Sequence, residues 1–300
     1  MTSLAQRPRV AASNPKSTAR VGTAKAPMSI VSTGILLIGA VYCLFPVFWV
    51  LMASTKSGGE LFSTFTLAPS THLIDNIVAL TEYRGGLFWR WMLNTALYAG
   101  VGALLSTYVS ALSGFVLAKF TFPGKSMVFR ILLMGVLVPG VILAIPQYFL
   151  MAQFDLTNTY WAVLLPQIIS PYGIYLARIY TAASVPTEVI EAARTEGARD
   201  ITIFSRIAMP MMLPGLVTIF LFQFVAIWNN FMLPYIMLGS DTLFPITVGL
   251  SGLLNQGASA PSLYTLVITG ALLSVIPLIA LFLLLQRFWK VDLAAGAVKA

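Results

Sequence analysis

The chain has 300 residues, of which 58% are hydrophobic and 9% are charged, and its mean hydropathy is +0.86. Soluble domains carry about 25% charged residues, so this composition excludes a water-soluble globular protein and predicts an integral membrane protein. With Cys43 and His72 as the single residues of their types, disulfide frameworks and metal sites built from several cysteines or histidines are excluded as well.

Six apolar runs approach the length of about 20 residues that an α-helix needs to cross a bilayer. None of the six contains Asp, Glu, Lys, Arg or His. The first is too long for the apolar core of a signal peptide, which has about 7–15 residues, and is predicted to be a retained helix. The predicted fold is an all-α, polytopic bundle in a membrane domain at 28–288, with transmembrane helices at about 28–54, 91–118, 131–154, 160–177, 207–238 and 263–285.

The segments outside these runs are short. Residues 1–27 are basic and rich in Ala, Ser, Thr and Pro, which predicts a disordered cytoplasmic extension. Residues 55–90 are predicted to be an external loop without the material for a core. A second external loop at 239–262 contains the apolar stretch Leu243–Leu254, which is predicted to be packed or re-entrant at the external mouth. Residues 289–300 are predicted to be a cytoplasmic tail.

The basic residues predict the orientation of the chain. If the N-terminus is cytoplasmic, 15 of the 18 Lys and Arg residues fall in cytoplasmic segments. This asymmetry follows the positive-inside rule and predicts that both termini are cytoplasmic. The net charge of +8 is therefore explained by topology, and it does not support binding to nucleic acid.

The loop at 184–206 has the signals of two short helices. Pro186 suits the first turn of a helix, and Gly197 is suited to the left-handed conformation that ends it. Asp200 is predicted to cap a second helix, which ends before Pro210. The loop exposes small residues, which allow another surface to approach closely, together with charges that set the register of such a contact. An ordinary amphipathic loop remains the alternative from these residues alone. The small residues are Ala192, Ala193 and Ala198, and the charged ones are Glu191, Arg194, Glu196 and Arg199.

Several functions are disfavoured because the residues that they need are missing. A proton- or sodium-coupled carrier and a voltage sensor need ionisable groups at membrane depth, and the six runs have none. Gly124-Lys125-Ser126 resembles the end of a phosphate-binding loop, but Lys119 stands where a glycine is required. No His or Lys is available to activate the serines of the spans as nucleophiles. We therefore assign no catalytic, cofactor-binding or metal-binding residue, and expect the energy source to lie outside this chain.

At this point the motifs resemble those of a known family. Glu191-Ala192-Ala193, followed by Gly197 and then by Ile207 and Pro210, resembles the EAA loop of ABC importer permeases; Glu196 stands where Asp is commoner. Other motifs resemble the carbohydrate branch of that family, and in particular its maltose-transporter type. They extend in the same order over about residues 30–300 and include Phe122-Pro123-Gly124-Lys125, Asn158-Thr159-Tyr160-Trp161 and Trp228-Asn229-Asn230-Phe231.

The resemblance implies a permease subunit in a bacterial inner membrane, forming half of a heterodimeric pore with a second homologous permease. Two ATPase subunits would hold ATP and Mg, and an extracytoplasmic binding protein would deliver the cargo. The implied cargo is a sugar, either an oligosaccharide or a disaccharide. The same fold importing a polyol phosphate, a polyamine or an anion is the alternative, and an ATP-independent channel is a further one. Spans without basic residues favour a neutral sugar over an anion.

The resemblance also implies which residues do the work. Contact with the ATPase is expected from the loop, at Glu191, Ala192, Ala193, Glu196, Gly197, Arg199, Phe204 and Pro210. Because sugars bind amides and aromatic faces, the candidate pathway residues are Asn94, Gln147, Gln167, Gln223, Trp228, Asn229 and Asn230. Helix packing is the alternative role for each of these. Contact with the binding protein is expected at Gly249, Ser251, Gly252, Asn255 and Gln256.

Overall fold

The structure is a computed structural model that describes residues 30–64, 67–257 and 260–297, with side chains as far as residue 288. The extension predicted at 1–27 lies outside the described residues. So do the side chains of the predicted tail at 289–300, although the backbone of the last helix continues to Ala297. The chain divides at Pro46 into two compact units, Met1–Phe45 and Pro46–Ala300. In the first unit, residues 30–45 are helical.

The described residues form α-helices joined by turns and contain no β-strand, which confirms the predicted all-α fold. The α-helices are α1 (Ile30–Ser54), α2 (Glu60–Ser63), α3 (Leu73–Glu82), α4 (Leu87–Lys119), α5 (Lys125–Leu137), α6 (Gly140–Gln153), α7 (Tyr160–Ile168), α8 (Pro171–Ser184), α9 (Thr187–Thr195), α10 (Asp200–Ile203), α11 (Met209–Met211), α12 (Leu213–Trp228), α13 (Met232–Met237), α14 (Ile246–Gln256) and α15 (Ser262–Ala297).

Four helical segments of the described chain are long and apolar enough to cross a membrane: α1, α4, α7 with α8, and α15 as far as Phe288. Two bent pairs bring the number to six if each pair counts as one span. One pair is α5 with α6, which meet at 106°, and the other is α10–α11 with α12, which meet at 83°. The structure therefore fits a six-span protein in which two of the spans are broken.

Helix α4 lies at the centre of the second unit and packs against α7, α8 and α12. Glycines make these contacts close. A Cβ added to Gly114 would lie 2.5 Å from the Cβ of Ala177 on α8, and one added to Gly215 on α12 would lie 2.4 Å from the ring of Tyr180. Small residues are what membrane helices need at their crossings, because lipid supplies no hydrophobic drive and association depends on close packing.

The breaks correct three of the predicted spans. The run predicted as one span at 131–154 is two helices, because Pro139 holds the chain in an extended conformation between α5 and α6. The run at 160–177 is interrupted before Pro171 and then continues as α8 to Ser184. The run at 207–238 turns sharply at Met212, and its helix ends again at Trp228.

The loop at 55–90, which is predicted to be external, is more ordered than its sequence predicts. It contains α2 and α3, with Leu80 buried between neighbours. The Nδ2 atom of Asn76 donates hydrogen bonds to the carbonyls of Ser54 at 2.9 Å and Lys56 at 2.8 Å. This fold depends on polar contacts between residues about 20 positions apart, which hydropathy does not reveal.

A carboxylate adds to this polar network. The backbone N–H of Ser57 donates to Glu60 at 2.9 Å and the hydroxyl of Ser70 donates to it at 3.0 Å. These hydrogen bonds stabilise the charged form, and the one from the Ser57 backbone contributes most, so the pKa of Glu60 lies below its usual value.

The segment predicted to be the second external loop contains a packed helix, as predicted for Leu243–Leu254. Helix α14 buries Ile246, Leu250 and Leu253, which share one face, against α4 and α15. Ahead of it, the indole of Trp91 donates to the carbonyl of Asp241 at 2.9 Å. The segment is thus fixed to the N-terminal end of α4.

Candidate functional site

Helix α9 forms the body of the loop that carries the EAA-like motif. Pro186 precedes its first residue and has φ −61°, a value already suited to a helix start. Ile190 and Ala193 are buried on the inner face of the helix, three residues apart. Glu191 and Ala192 are exposed on the other side. The helix therefore presents one polar, small-residue face outwards and is anchored by a narrow apolar one.

The end of α9 is a Schellman motif, and it confirms the predicted left-handed glycine. Gly197 has φ +84°. Its N–H donates to the carbonyl of Arg194 at 2.9 Å, and the N–H of Ala198 donates to the carbonyl of Ala193 at 3.0 Å. A residue with a Cβ is strained at this φ, so glycine fixes the direction in which the chain leaves the helix.

The role predicted for Asp200 is wrong. Asp200 is the first residue of α10, where Arg199 holds the cap position, and it makes no capping hydrogen bond. Instead its Oδ1 accepts from Arg194 Nη2 at 3.0 Å and from Nε at 3.2 Å. This ion pair closes the turn around Gly197. Both side chains are exposed, so the pair contributes at most about 1 kcal/mol.

The predicted helix end before Pro210 is also wrong. A π-helical turn at Phe204–Ala208 follows α10, and the chain continues through Pro210 in α11 as far as Met211. Proline at an early position of α11 needs no N–H bond of its own, and the wider π turn relieves the clash that proline makes with the preceding turn. The sharp bend comes only afterwards, at Met212.

Two residues predicted to contact an ATPase lie beneath the surface. Phe204 is 1% exposed, and its ring packs 5.5 Å from that of Phe115 on α4; Ala193 is 7% exposed. Their side chains are unavailable to a partner because they join the buried apolar cluster under α9. The remaining predicted residues are exposed: Glu191, Ala192, Glu196, Gly197, Arg199 and Pro210.

The buried cluster connects α9 to the bundle. It includes Ile190 of α9, Ile203 of α10, Ala177 of α8, Phe115 of α4 and Leu216 of α12. In addition, Lys119 Nζ at the end of α4 donates to the Thr187 hydroxyl at 3.4 Å. Through this close-packed cluster, α9 is connected to residues of three membrane helices.

A cavity of about 660 Å³ lies where three helices are interrupted, between α5 and α6, between α7 and α8, and after α12. It brings together four of the seven predicted pathway residues: Gln147, Gln167, Asn229 and Asn230. The rest of its lining is apolar or glycine and includes Val138, Pro166, Pro171 and Phe231. No described residue that lines the cavity carries a charge.

The other three predicted pathway residues hold the structure together instead. Asn94 donates to the carbonyls of Thr242 at 2.9 Å and Phe244 at 3.1 Å, and accepts from the Tyr160 hydroxyl at 2.9 Å. Gln223 donates to the Ser170 hydroxyl at 2.7 Å. The third, Trp228, is 3% exposed and its ring stacks on a neighbouring phenylalanine of α12. None of the three lines the cavity.

The residues predicted to contact a binding protein also differ in their exposure. Gly249 is buried against Trp91, whose ring would lie 2.2 Å from a Cβ added at this position. A partner therefore cannot contact Gly249. Ser251 and Gly252 are half-buried. Asn255 and Gln256 are exposed at the end of α14 and remain candidates.

The sequence did not predict the structural role of Asn158, which joins two distant turns by hydrogen bonds. It adopts φ +55°, and its Oδ1 accepts from the N–H groups of Gly239 at 3.0 Å and Ser240 at 2.9 Å. Asparagine tolerates the left-handed conformation better than most residues, so an Asn in a turn before Tyr160 was a local signal. Its hydrogen-bond partners lie about 80 residues away, and no local sequence signal pointed to them.

Comparison with known proteins agrees with this architecture. Residues 110–290 match the family described as "Binding-protein-dependent transport system inner membrane component". The chain is 33% identical over 264 residues to the arabinooligosaccharides transport system permease protein AraQ of Halalkalibacterium halodurans, covering 87% of this chain and 92% of that one. It is 28% identical over 265 residues to the sn-glycerol-3-phosphate transport system permease protein UgpE of Escherichia coli, covering 87% and 94%.

The fold is found in a solved structure. The chain superposes with a TM-score of 0.74 on a chain in the crystal structure of a bacterial ABC transporter involved in the import of the acidic polysaccharide alginate. The two are 22% identical, and the match covers 86% of this chain and 95% of that one. At this identity the likeness establishes a shared fold and no more.

Proposed function

Because the chain belongs to the family of binding-protein-dependent transport system inner membrane components, we propose that it is a permease subunit of an ABC importer for a neutral oligosaccharide or disaccharide. Members of this family are multi-pass inner-membrane transport components rather than enzymes, and they work with a binding protein. The cargo, the other partners and the orientation belong to the proposal.

The observation that carries the cargo assignment is the uncharged cavity at the helix breaks. Interrupted membrane helices commonly form the solute site of a transporter, because unwound backbone is tolerated only where it lines a cavity. Gln147, Gln167, Asn229 and Asn230 offer amide donors and acceptors to hydroxyl groups, and Phe231 offers an aromatic face to a sugar ring.

The relatives leave two classes of cargo to distinguish. AraQ is named for arabinooligosaccharides and UgpE for sn-glycerol-3-phosphate. A phosphate at this depth needs a cation or several preorganised donors, because an isolated charge in a membrane interior is costly. The described cavity lining has no cation, which supports the neutral sugar.

The partners belong to the proposal and are supported by the EAA-like motif of the α9 loop. The exposed face of α9 would dock on one of two ATPase subunits, which hold ATP and Mg, and a second homologous permease would complete the pore. Closure of the ATPases would move α9 as a rigid body, and the buried cluster around Phe204 would pass the movement to α4, α8 and α12. This arrangement disfavours an ATP-independent channel.

The distribution of Lys and Arg supports cytoplasmic termini and a cytoplasmic α9. On the opposite side of the membrane, the exposed Asn255 and Gln256 of α14 would meet the binding protein. The domain division follows from this orientation: an extension at 1–27, a permease domain at 28–288 and a tail at 289–300.

The cargo proposal is tested by uptake into vesicles that contain the complete importer. Gln147→Leu removes an amide from the cavity, and Gln153→Leu makes the same change at an exposed position of the same helix α6. We expect uptake of a labelled arabinooligosaccharide or disaccharide at limiting concentration to fall about tenfold in Gln147→Leu, the effect of one lost hydrogen bond, and to be unchanged in Gln153→Leu. Uptake of glycerol 3-phosphate with no uptake of any sugar would contradict the proposal.

A further inference from the structure

A second cavity, of about 600 Å³, lies beside the turn that joins α4 to α5. Its lining includes three cations, Lys125, Arg130 and Arg178, together with Phe129 and Ser126. No acidic residue lines it. It is separate from the cavity at the helix breaks, and it is on the same side of the membrane as α9, because the end of α4 contacts Thr187.

The predicted span ends at residue 177, which places Arg178 in a loop, whereas in the structure Arg178 lies within α8. Helix α8 continues to Ser184, which places Arg178 about 9 Å of helix before its end. Its guanidinium lies 4.0 Å from the centre of the Phe129 ring, which in turn stacks on Tyr175 at 6.4 Å. The arginine is half-buried and held in place by aromatic rings.

The charge of this cavity has no internal compensation. Among the described residues, neither Arg130 nor Arg178 forms an ion pair with a carboxylate. Lys125 Nζ donates to the carbonyl of Phe120 at 2.8 Å, which fixes the ammonium at the cavity without neutralising it. A cation near the end of a membrane helix reaches the membrane interface, where an anionic headgroup is its natural partner.

The surface next to the cavity is apolar and continuous with it. Met127, which lines the cavity, shares one face of α5 with Ile131 and Met134, and the three side chains are 61%, 53% and 59% exposed. A ligand suited to both surfaces has an anionic head and a hydrocarbon tail. A soluble phosphate would use the cations and leave this face bare.

We propose that the cavity formed by Lys125, Arg130 and Arg178 binds the phosphate of an anionic phospholipid, with the acyl chains of that lipid along the Met127–Met134 face of α5. A basic pocket between membrane helices on the cytoplasmic side is the arrangement that selects such headgroups. Its placement in the cytoplasmic leaflet rests on the orientation given under the proposed function.

The test is lipid binding by the purified full-length chain in detergent, measured by native mass spectrometry with phosphatidylglycerol as the probe. We expect Arg178→Gln and Arg130→Gln each to weaken phosphatidylglycerol binding about tenfold, because each removes a charge-assisted contact. Arg130 is exposed and its replacement leaves the packing of α8 intact. The matched control is Arg206→Gln, an exposed arginine on the same side that does not line the cavity, and it is expected to leave binding unchanged.

Two further arms identify the source of the phosphate. Phosphatidylcholine, which carries a phosphate but no net charge, is expected to bind weakly and equally to all variants. Glycerol 3-phosphate in solution is expected not to displace phosphatidylglycerol; displacement at equal concentration would assign the site to a soluble phosphate and overturn the proposal. An equal loss of phosphatidylglycerol binding in all three arginine variants, or no loss of binding in any of them, would also overturn the proposal. Because no transport is measured, failure here is distinct from failure of the proposed function.

Discussion

Gly197 shows how a single backbone angle can set the course of the chain. Its φ of +84° ends α9 and turns the chain towards α10. The sequence pattern was sufficient to predict this conformation, because glycine at the end of a polar helical segment is a local signal. The two buried positions of the same loop, Ala193 and Phe204, were not predictable in this way, since their burial depends on α4 and α12.

Gly197→Ala is expected to strain this turn by about 1–2 kcal/mol, because a Cβ is disfavoured at positive φ. The expected outcome is loss of ATP-driven uptake with the complex still assembled, measured in vesicles that contain the complete importer. Gly100→Ala is the matched control: Gly100 lies in α4 with open space around it, and alanine favours a helix. Equal activity of the two variants would show that the angle is unimportant.

Amide side chains show what composition cannot decide. Asn94 and Asn229 are equally suited to a sugar, yet Asn94 binds carbonyls about 150 residues away and Asn229 lines the cavity. The distinction depends on long-range contacts and carries no local pattern.

Asn94→Ala is expected to lower the melting temperature of the detergent-solubilised chain, because two carbonyls and the Tyr160 hydroxyl lose their part-buried hydrogen bonds at a cost of about 1–3 kcal/mol. Asn229→Ala serves as its control, because Asn229 is exposed and bonds only within its own helix. A melting temperature lowered more by Asn229→Ala would contradict this assignment.

At the scale of elements, hydropathy predicted which segments enter the membrane and missed where they break. The break at Pro139 had a local signal in the proline itself. The π turn at Phe204–Ala208 and the bend at Met212 also lie next to prolines, Pro210 and Pro214, but a proline alone does not specify whether the helix widens or bends. Helices α2 and α3 were missed because polar contacts, rather than apolar periodicity, hold them.

Helix α14 depends on one close contact. Gly249→Ala would place a Cβ 2.2 Å from the Trp91 ring, which forces the helix away from α4 at a cost of about 1–3 kcal/mol. We expect faster hydrogen exchange in Ile246–Gln256, measured by mass spectrometry. Gly252→Ala lies on the same helix with open space and is expected to leave exchange unchanged. Unchanged exchange in both variants would contradict the contact.

At the scale of the whole molecule, the low charge of the chain has a mechanistic meaning. The described cavity has no titratable group to couple transport to an ion gradient, and α9 carries exposed Glu191 while its buried side chains share an apolar cluster with three membrane helices. Under the proposed function, we expect energy to enter from a partner through the exposed face of α9.

Binding-protein-stimulated ATP hydrolysis by the assembled importer tests this claim most directly. Glu191→Gln removes the charge from the outer face of α9, and Glu82→Gln makes the same change at an exposed position of α3, on the other side of the membrane. The account predicts that stimulated hydrolysis falls about tenfold or more in Glu191→Gln, with assembly unchanged, and stays at the wild-type rate in Glu82→Gln. Wild-type stimulation in Glu191→Gln would contradict it.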